Sequence, residues 1–548
     1  MQLATQAQEI MKMANFTLHH LPLACLLLLS APLIAFATSI PEGFLQCLSL
    51  HCENTTPISE FVYTPINSSY SSVLNITIQN LRFLTPYTPK PLFIVTPLHV
   101  CHVQAATICS RWYGLQIRIR SGGHDYEGLS YLSEVPFVII DMVNLRSVAV
   151  NVEDKTAWVE SGSTVGELYY RIAEKNRTLG FPASVCPTVG VGGHFSGGGY
   201  GMMLRKYGLA ADNIIDAQLV DAQGQLQDRE SMGEDLFWAI RGGGGGSFGV
   251  VVSWKVKLVP VPSTVTVFSP LRTLEQNATK LVHQWQLVAN KLPDDLFMRV
   301  ILWSDNSGPN GTRTMKAIFS TLYLGGVDAL LEVMKSGFPE LNVTRQDCIE
   351  MSWIESVLYF AGFERGSPLE VLLNRSSNTK SFFKDKSDYV KEPIPESGIE
   401  GMWKRFYEED ERVPIMIWSP YGGKMAEISE SAIPFPHRAG VLAGVLYKIL
   451  YITDWTNGGN EVAPKHVSWI RDFYCYMTPY VSKSPREAYI NYRDLDIGTN
   501  NVIGNTSYEQ ASVWGKKYFK NNFGSLVLVK TAVDPHNFFR HEQSIPPL

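Results

Sequence analysis

The stretch Cys186-Pro187-Thr188-Val189-Gly190-Val191-Gly192-Gly193-His194-Phe195-Ser196-Gly197-Gly198-Gly199-Tyr200-Gly201 decides how this chain is read. It places seven glycines, at 190, 192, 193, 197, 198, 199 and 201, behind a single nucleophilic thiol. A second stretch, Arg120-Ser121-Gly122-Gly123-His124-Asp125-Tyr126-Glu127-Gly128-Leu129-Ser130, repeats the arrangement with an imidazole. Glycine-dense loops let backbone N–H groups close on an anionic diphosphate, because no Cβ stands in the way. One such loop says little. A nucleophile beside each of two loops says more.

Taken singly, each residue has a plainer reading: Cys186 as a small buried side chain, His124 as a turn residue. The pair does not suit zinc, because one Cys and one His at positions 186 and 124 lack the close paired-ligand spacing of metal sites. A Cys–His hydrolase would need a base beside the thiol, and His124 or His194 could serve. That reading leaves the seven glycines unexplained, since an acyl group needs no such cradle. Gly190-Val191-Gly192-Gly193 also has the wrong spacing for a dinucleotide fingerprint. Arg241-Gly242-Gly243-Gly244-Gly245-Gly246-Ser247-Phe248-Gly249 precedes an apolar run instead of following one. A non-Rossmann nucleotide site is indicated, and no metal is called for.

At 548 residues the chain exceeds a single core. It is 45% hydrophobic and 18% charged with a net charge of −5, and its basic residues never cluster, which argues against a nucleic-acid partner. Leu21-Pro22-Leu23-Ala24-Cys25-Leu26-Leu27-Leu28-Leu29 continues apolar to Ala35-Phe36-Ala37, a small-x-small cleavage pattern, so residues 1–37 read as a signal peptide. No second long apolar run follows, so a membrane span is not expected in the mature chain. Sequons at Asn54, Asn67, Asn75, Asn176, Asn277, Asn310, Asn342, Asn374 and Asn505 agree with passage through the secretory pathway, to the apoplast or vacuole. A monomer is expected.

From Pro91 short apolar runs alternate with a helical pattern. Strands are expected at Leu92–Thr96, Leu115–Ile119, Phe137–Asp141, Thr156–Glu160, Ile214–Val220 and Val250–Leu258, and helices at His99–Trp112 and Val165–Lys175. Val259-Pro260-Val261-Pro262 marks a boundary. The expected organisation is therefore α+β: a cofactor-binding region over 38–262, a second α+β region over 263–485, and a segment 486–548 that returns to the first. The second region carries strands at Phe297–Trp303, Lys316–Leu324 and Val413–Trp418, with helices near Gln276–Lys291, Ala329–Ser336 and His466–Met477. The chain is expected to close with a helix, a strand and Asp534-Pro535-His536-Asn537-Phe538-Phe539-Arg540. Cys348 and Cys475 read as buried, unreactive thiols.

Ser121-Gly122-Gly123-His124, Cys186-Pro187-Thr188-Val189-Gly190 and Gly192-Gly193-His194-Phe195-Ser196-Gly197-Gly198-Gly199 resemble the flavin-binding motifs of the plant berberine-bridge-enzyme-like FAD-linked oxidases. So do Ala210-Ala211-Asp212-Asn213-Ile214-Ile215-Asp216-Ala217, Asp235-Leu236-Phe237-Trp238-Ala239-Ile240-Arg241-Gly242-Gly243-Gly244 and Asn491-Tyr492-Arg493-Asp494. The resemblance runs from about Phe44 to the C-terminus and is nearest to the cannabinoid-synthase-like oxidocyclases. It implies a p-cresol-methylhydroxylase/vanillyl-alcohol-oxidase-type FAD-binding domain with an inserted α+β substrate domain. It also implies a bicovalent FAD, bonded by the His124 ring nitrogen at the 8α carbon and by the Cys186 sulfur at the 6 carbon. Ser121, Gly122, Gly123, Gly192, Gly193, His194, Ser196, Gly197, Gly199 and Gly201 would hold the diphosphate and ring, with Tyr489 and Asn491 completing the site. The same resemblance implies a Cys47–Cys109 disulfide, and Cys52 and Cys101 offer a second.

The resemblance also assigns the chemistry. Tyr492 is the candidate base for a substrate hydroxyl, and an unperturbed tyrosine, at a pKa of about 10, needs a nearby cation to work near neutrality. In Leu446-Tyr447-Lys448-Ile449-Leu450-Tyr451, strand alternation puts Lys448 and Leu450 on one face, so Lys448 could supply that charge. Leu450 departs from the family, many of whose members carry a proton-moving group there; this shifts the load to Tyr492. The stretch Ala439–Val445 also looks longer than usual. In the family a small residue at Val189 accompanies O2 access to the flavin, which favours an oxidase releasing H2O2. Tyr126 and Tyr200 border the expected pocket, and Arg299, on the expected strand Phe297–Trp303, reads either as a contact for an anionic or phenolic substrate or as a surface cation. The implied reaction is oxidation of a phenolic or prenylated phenolic plant metabolite by cyclisation or diene formation. A carbohydrate oxidase and a non-redox flavoprotein pericyclase are the alternatives.

Overall fold

The computed structural model describes residues 41–548 apart from 53–55, 377–379, 410–413 and 439–443. The leader at 1–37, the sequon at Asn54 and most of the stretch beginning at Ala439 lie outside the described residues.

Three larger sheets organise the chain, and the burial pattern of each strand explains its place. Phe93–Val95 and Phe137–Asp141 are buried along their whole length, as parallel strands covered on both faces must be. They pair parallel with each other, and Phe137–Asp141 pairs parallel with Gln116–Arg120. The helix Val100–Trp112 makes the crossover. The second sheet is antiparallel, in the order Val148–Asn151, Thr156–Glu160, Val250–Lys257, Ile214–Val220, Leu226–Gln227. Val259–Pro260 then pairs with Leu179–Gly180 in a two-stranded ladder, and the next strand, Val265–Phe268, already belongs to the third sheet.

That third sheet has eight strands and is antiparallel. Its centre pairs Leu296–Asp305 with Ile415–Pro420 and then Tyr447–Trp455. Alternation sorts the side chains between two faces. Met298, Val300, Trp418, Tyr447 and Ile449 enter one core together with residues of the helices Ala278–Val288, Glu396–Phe406 and Ala463–Met477. Phe297, Arg299, Ile417, Lys448 and Leu450 therefore project from the opposite face, and the register aligns Ile417 with Leu450. The architecture is α+β.

Two disulfides, Cys47–Cys109 and Cys52–Cys101, tie the helix over 41–51 to the helix Val100–Trp112. No helix among the described residues is long and apolar enough to cross a membrane. The eight described sequon asparagines are all exposed or half-buried, as an acceptor must be.

Two expectations are corrected. The closing region contains two helices, Tyr508–Phe519 and Asn522–Val533, with no strand between them. Leu526-Val527-Leu528-Val529 has strand-like residues, but burial follows helical spacing: Phe523, Leu526, Val527 and Lys530 face inward while Leu528 is 61% exposed. Packing overrides β propensity here. The thiols of Cys348 and Cys475 are not buried: Cys475 is exposed and Cys348 half-buried. Cys475 lies on a helix whose inward stripe is Ile470, Phe473 and Met477, so its position faces out.

Candidate active site

The two nucleophile-bearing loops meet in one cavity of about 400 Å³. His124 follows the strand Gln116–Arg120, whose last residue is pinned: Arg120 Nη2 donates to Asp141 Oδ2 at 2.7 Å and Nη1 to the Leu74 carbonyl at 2.8 Å. The Cys186 loop docks on the first turn of the helix Val165–Lys175, where the N–H groups of Val165 and Gly166 donate to the carbonyls of Val189 and Pro187, both at 2.9 Å. The loops then cross at their glycines. A Cβ on Gly122 would lie 2.3 Å from the Gly190 nitrogen, and one on Gly190 would lie 2.2 Å from the Gly122 nitrogen.

That crossing revises the role expected of the glycines. Gly122 makes room for Gly190, and Gly197 for Asn491, whose Oδ1 lies 2.0 Å from where a Cβ would sit. Protein backbone and side chain, not a ligand, use those spaces. Gly193 has nothing within 4 Å and lines the cavity, so it keeps the cradle role. Gly199 is not a lining residue; its N–H donates to Tyr489 Oη at 2.9 Å. The hydroxyls of Ser121 and Ser196 donate to the carbonyls of Ser161 and Gly192, at 2.5 and 2.7 Å, and so shape the loops.

His124, Cys186, Ser121, Gly122, Gly123, Val189, Gly192, His194, Ser196 and Gly201 all line the cavity. Burial pulls the imidazoles of His124 and His194 down to about 4 and about 3, so both are neutral near pH 7. His194 Nε2 accepts from the Ser184 N–H at 3.1 Å. Asn491 Nδ2 donates to the His194 carbonyl at 2.9 Å and to Tyr489 Oη at 3.1 Å, which locks the C-terminal segment to the glycine loop. Thr188, which the sequence reading passed over, lies between the two nucleophiles: its Oγ1 is 3.1 Å from His124 Nε2 and 3.6 Å from Cys186 Sγ.

The other end of the cavity is aromatic. Tyr126 stacks on Tyr492 with centroids 5.5 Å apart and planes 7° from parallel, and the hydroxyls of Tyr200 and Tyr492 hydrogen-bond to each other. Lys448 sits behind these rings and outside the lining, with Nζ 3.2, 4.1 and 4.3 Å from the ring centroids of Tyr200, Tyr489 and Tyr492. Burial pushes the Lys448 ammonium well below its ordinary value. It pushes Tyr492 well above 10, and the neighbouring Tyr200 and Tyr126 add to that. Phe297, Ile417 and Leu450 also line the cavity, with Arg299 among them. Arg299 makes no ion pair among the described residues, its Nε is buried without a partner, and burial lowers its pKa.

Arg118, Arg493 and His541 line the same cavity beside Gly244–Gly246, and the sequence reading missed all three. Arg118 Nε and Nη1 and Arg493 Nη1 are buried without partners. One carboxylate apiece balances them: Glu542 lies 2.8 Å from Arg118, and Asp125 lies 3.2 Å from Arg493. Orphaned guanidinium donors, an open Gly193 and a run of loop glycines fit an anionic dinucleotide.

A buried ion network fixes the loops relative to the third sheet. Lys384 Nζ pairs with Glu127, three residues after His124, and with Asp494 at 2.8 Å. Lys386 reaches Asp494 and Asp496, both at 2.7 Å. One strand thereby holds both the His124 loop and the segment that carries Tyr492.

An FAD binding domain family matches residues 91–229, and a family described as berberine and berberine like matches residues 488–546. A tetrahydroberberine oxidase of Berberis wilsoniae is 55% identical over 509 residues, covering 92% of this chain and 94% of that protein. Cannabidiolic acid synthase-like 1 of Cannabis sativa is 52% identical over 516 residues, covering 92% and 93%. The crystal structure of Phl p 4, a grass pollen allergen with glucose dehydrogenase activity, superposes with a TM-score of 0.86 at 47% identity, covering 92% of this chain and 99% of that one. This chain belongs to the berberine bridge enzyme-like family and is an FAD-linked oxidoreductase.

Proposed function

We propose that this chain is a secreted oxidase of phenolic plant metabolites, prenylated phenols included, that acts by oxidative cyclisation or diene formation. His124 and Cys186 would hold the FAD, which would supply the hydride acceptor, with O2 as the final electron acceptor and H2O2 as by-product. Residues 38–262 and 486–548 hold the cofactor, and 263–485 present the substrate wall.

The observation that carries this reading is the Tyr200–Tyr492 hydroxyl pair set over Lys448 in a cavity that the apolar Phe297, Ile417 and Leu450 also line. A phenol ring lies against Phe297, Ile417 and Leu450, and its hydroxyl meets Tyr492. Tyr492 takes the hydroxyl proton and Tyr200 shares the resulting charge through its hydrogen bond. Lys448 Nζ faces the rings and not the hydroxyl oxygens, so its contribution is electrostatic: a cation there stabilises a phenolate, and three ring faces in turn stabilise the cation. Arg299 offers its guanidinium to a phenolate or other anionic group on the substrate. Val189, beside the Cys186 loop, leaves room for O2.

The similarity to a glucose dehydrogenase supports carbohydrate oxidation as a second reading. Three apolar side chains on the wall weigh against it, because sugar hydroxyls would lose hydrogen bonds to water there. Anaerobic mixing with phenols and with sugars decides between them. Flavin bleaching by phenols alone supports the proposal; bleaching by sugars alone overturns it. Product formation without bleaching would mark a pericyclase. Flavin that stays with the protein after acid denaturation supports the covalent tethers, and released flavin refutes them.

A further inference from the structure

Among the described residues no hydrogen bond joins the two side chains read as flavin tethers. Both touch Thr188. Its Oγ1 stands 3.1 Å from His124 Nε2 and 3.6 Å from Cys186 Sγ, and among the described residues no other side-chain hydrogen bond joins the two loops at this point. We infer that Thr188 is the positioning residue for covalent cofactor attachment, its single hydroxyl aiming both nucleophiles at the ring. The inference rests on the two-tether reading above and adds to it the residue that makes the two bonds possible.

Three observations support it. First, a threonine hydroxyl can accept one hydrogen bond and donate another at the same time. His124 Nε2–H can donate to Oγ1 while the Oγ1 hydrogen points at Sγ. This order leaves the other imidazole nitrogen with its lone pair and points a donor at the sulfur, so one hydroxyl orients both nucleophiles. Second, Thr188 is held rigidly. The residues on both sides of it, Pro187 and Val189, accept the hydrogen bonds from Gly166 and Val165 at a helix N-terminus, and the Gly122–Gly190 crossing fixes the distance between loops. Third, His124 is half-buried and neutral while Cys186 is exposed. Without the hydroxyl, nothing described would hold the thiol toward the imidazole side of the cavity.

Each attachment removes one hydrogen from the protein side chain, the imidazole N–H or the thiol S–H, and one from the flavin carbon that it joins. Two electrons pass through the ring to O2, which leaves as H2O2. Two attachments therefore consume two O2. Thr188 is not consumed, so it sets the rate and the selectivity of the bonds without appearing in the balance.

The test compares Thr188→Ser, which keeps the hydroxyl, with Thr188→Val, which keeps the shape. Thr188→Ala serves where the valine variant does not fold. Purified proteins are precipitated with acid, and the fraction of flavin retained is measured. Tryptic peptides carrying His124 and Cys186 are then weighed for the cofactor adduct, as a function of time after expression. The expected result is full double attachment in the wild type and in Thr188→Ser. In Thr188→Val or Thr188→Ala attachment should slow by about tenfold or more, the factor for one lost hydrogen bond, with acid-releasable flavin still bound. Wild-type attachment at both residues of the valine or alanine variant overturns the Thr188 assignment alone. Release of all flavin from the wild type overturns the tether reading and the assignment together.

Discussion

Replacing Tyr492 with phenylalanine removes one oxygen atom, and the surroundings allow the consequences to be separated. The ring stays: Tyr126 is still available for stacking at 5.5 Å, and Lys448 still has three ring faces. What is lost is the Oη–Oη hydrogen bond, which leaves the Tyr200 hydroxyl without its partner, at a stability cost of about 1–3 kcal/mol. The catalytic loss should be larger. General-base assistance is worth about 10²–10⁴ in rate, or roughly 3–5 kcal/mol of barrier. The assay is anaerobic stopped-flow: flavin bleaching by a phenolic substrate, after matching the variants for flavin content and thermal midpoint. Tyr492→Phe should bleach about 10²–10⁴ slower with an intact flavin spectrum. Tyr200→Phe should lose less, because it removes only the partner that shares the charge, and the double variant should be little worse than Tyr492→Phe. Bleaching of Tyr492→Phe within about threefold of wild type would refute the base assignment, since loss of a working base costs far more than that.

The pH dependence follows from the same residue. Burial disfavours the Tyr492 phenolate and raises its pKa well above 10, so the base-competent form grows as pH rises. The bleaching rate should therefore climb about tenfold per pH unit over the alkaline range, and a flat profile would rule out tyrosinate as the base. A charged Lys448 pulls that rise to lower pH, so Lys448→Met should displace it upward; an unmoved profile would show that Lys448 sits neutral and only packs. Val189→Leu should slow reoxidation of the reduced flavin by O2 while leaving bleaching by substrate unchanged, and equal reoxidation rates would remove Val189 from the oxygen path. Breaking the Cys47–Cys109 bridge, whose ends are 62 positions apart, should cost up to roughly 4 kcal/mol, read as a fall in the thermal midpoint with flavin chemistry intact.

What the sequence showed clearly was whatever its local pattern controls. Phe137–Asp141, Thr156–Glu160, Val165–Lys175 and Ile214–Val220 fall where the apolar patterns put them. The Lys448/Leu450 face was legible because a strand has a period of two. Asn522–Val533 was not, since Leu526–Val529 is strand-like in composition and only its docking against Tyr508–Phe519 shows the helical stripe. Arg118 and Arg493 were passed over for a different reason: they come from positions 375 residues apart, nothing local marks Arg118, and Arg493 stood inside a quoted motif without a role of its own. Thr188 stood inside the motif that opened the reading, yet its importance is a distance to His124, which no one-dimensional pattern contains.

Leu450 has a structural consequence beyond the loss of one candidate base. The third sheet offers the cavity Phe297, Ile417 and Leu450, none of which can move a proton, together with Arg299, which is always a cation. On the proposed reading the proton goes to Tyr492, which arrives on the segment that returns from the C-terminal region. That segment is positioned by charge: Asp494, two residues on, is bound by both Lys384 and Lys386, and Lys384 also holds Glu127 of the His124 loop. Farther along, Lys530 donates to the Ser247 carbonyl at 2.6 Å and the Phe539 carbonyl at 2.8 Å and so fastens the final helix to the glycine-rich turn. In a relative with a working group at the Leu450 position, loosening these contacts would mainly disturb cofactor binding. Here the same contacts also hold the proposed base, Tyr492. Lys386→Met, which leaves Asp494 and Asp496 partly unpaired, should therefore lower the bleaching rate before it lowers flavin content. Loss of flavin with an unchanged rate per bound flavin would show that the segment serves the cofactor alone.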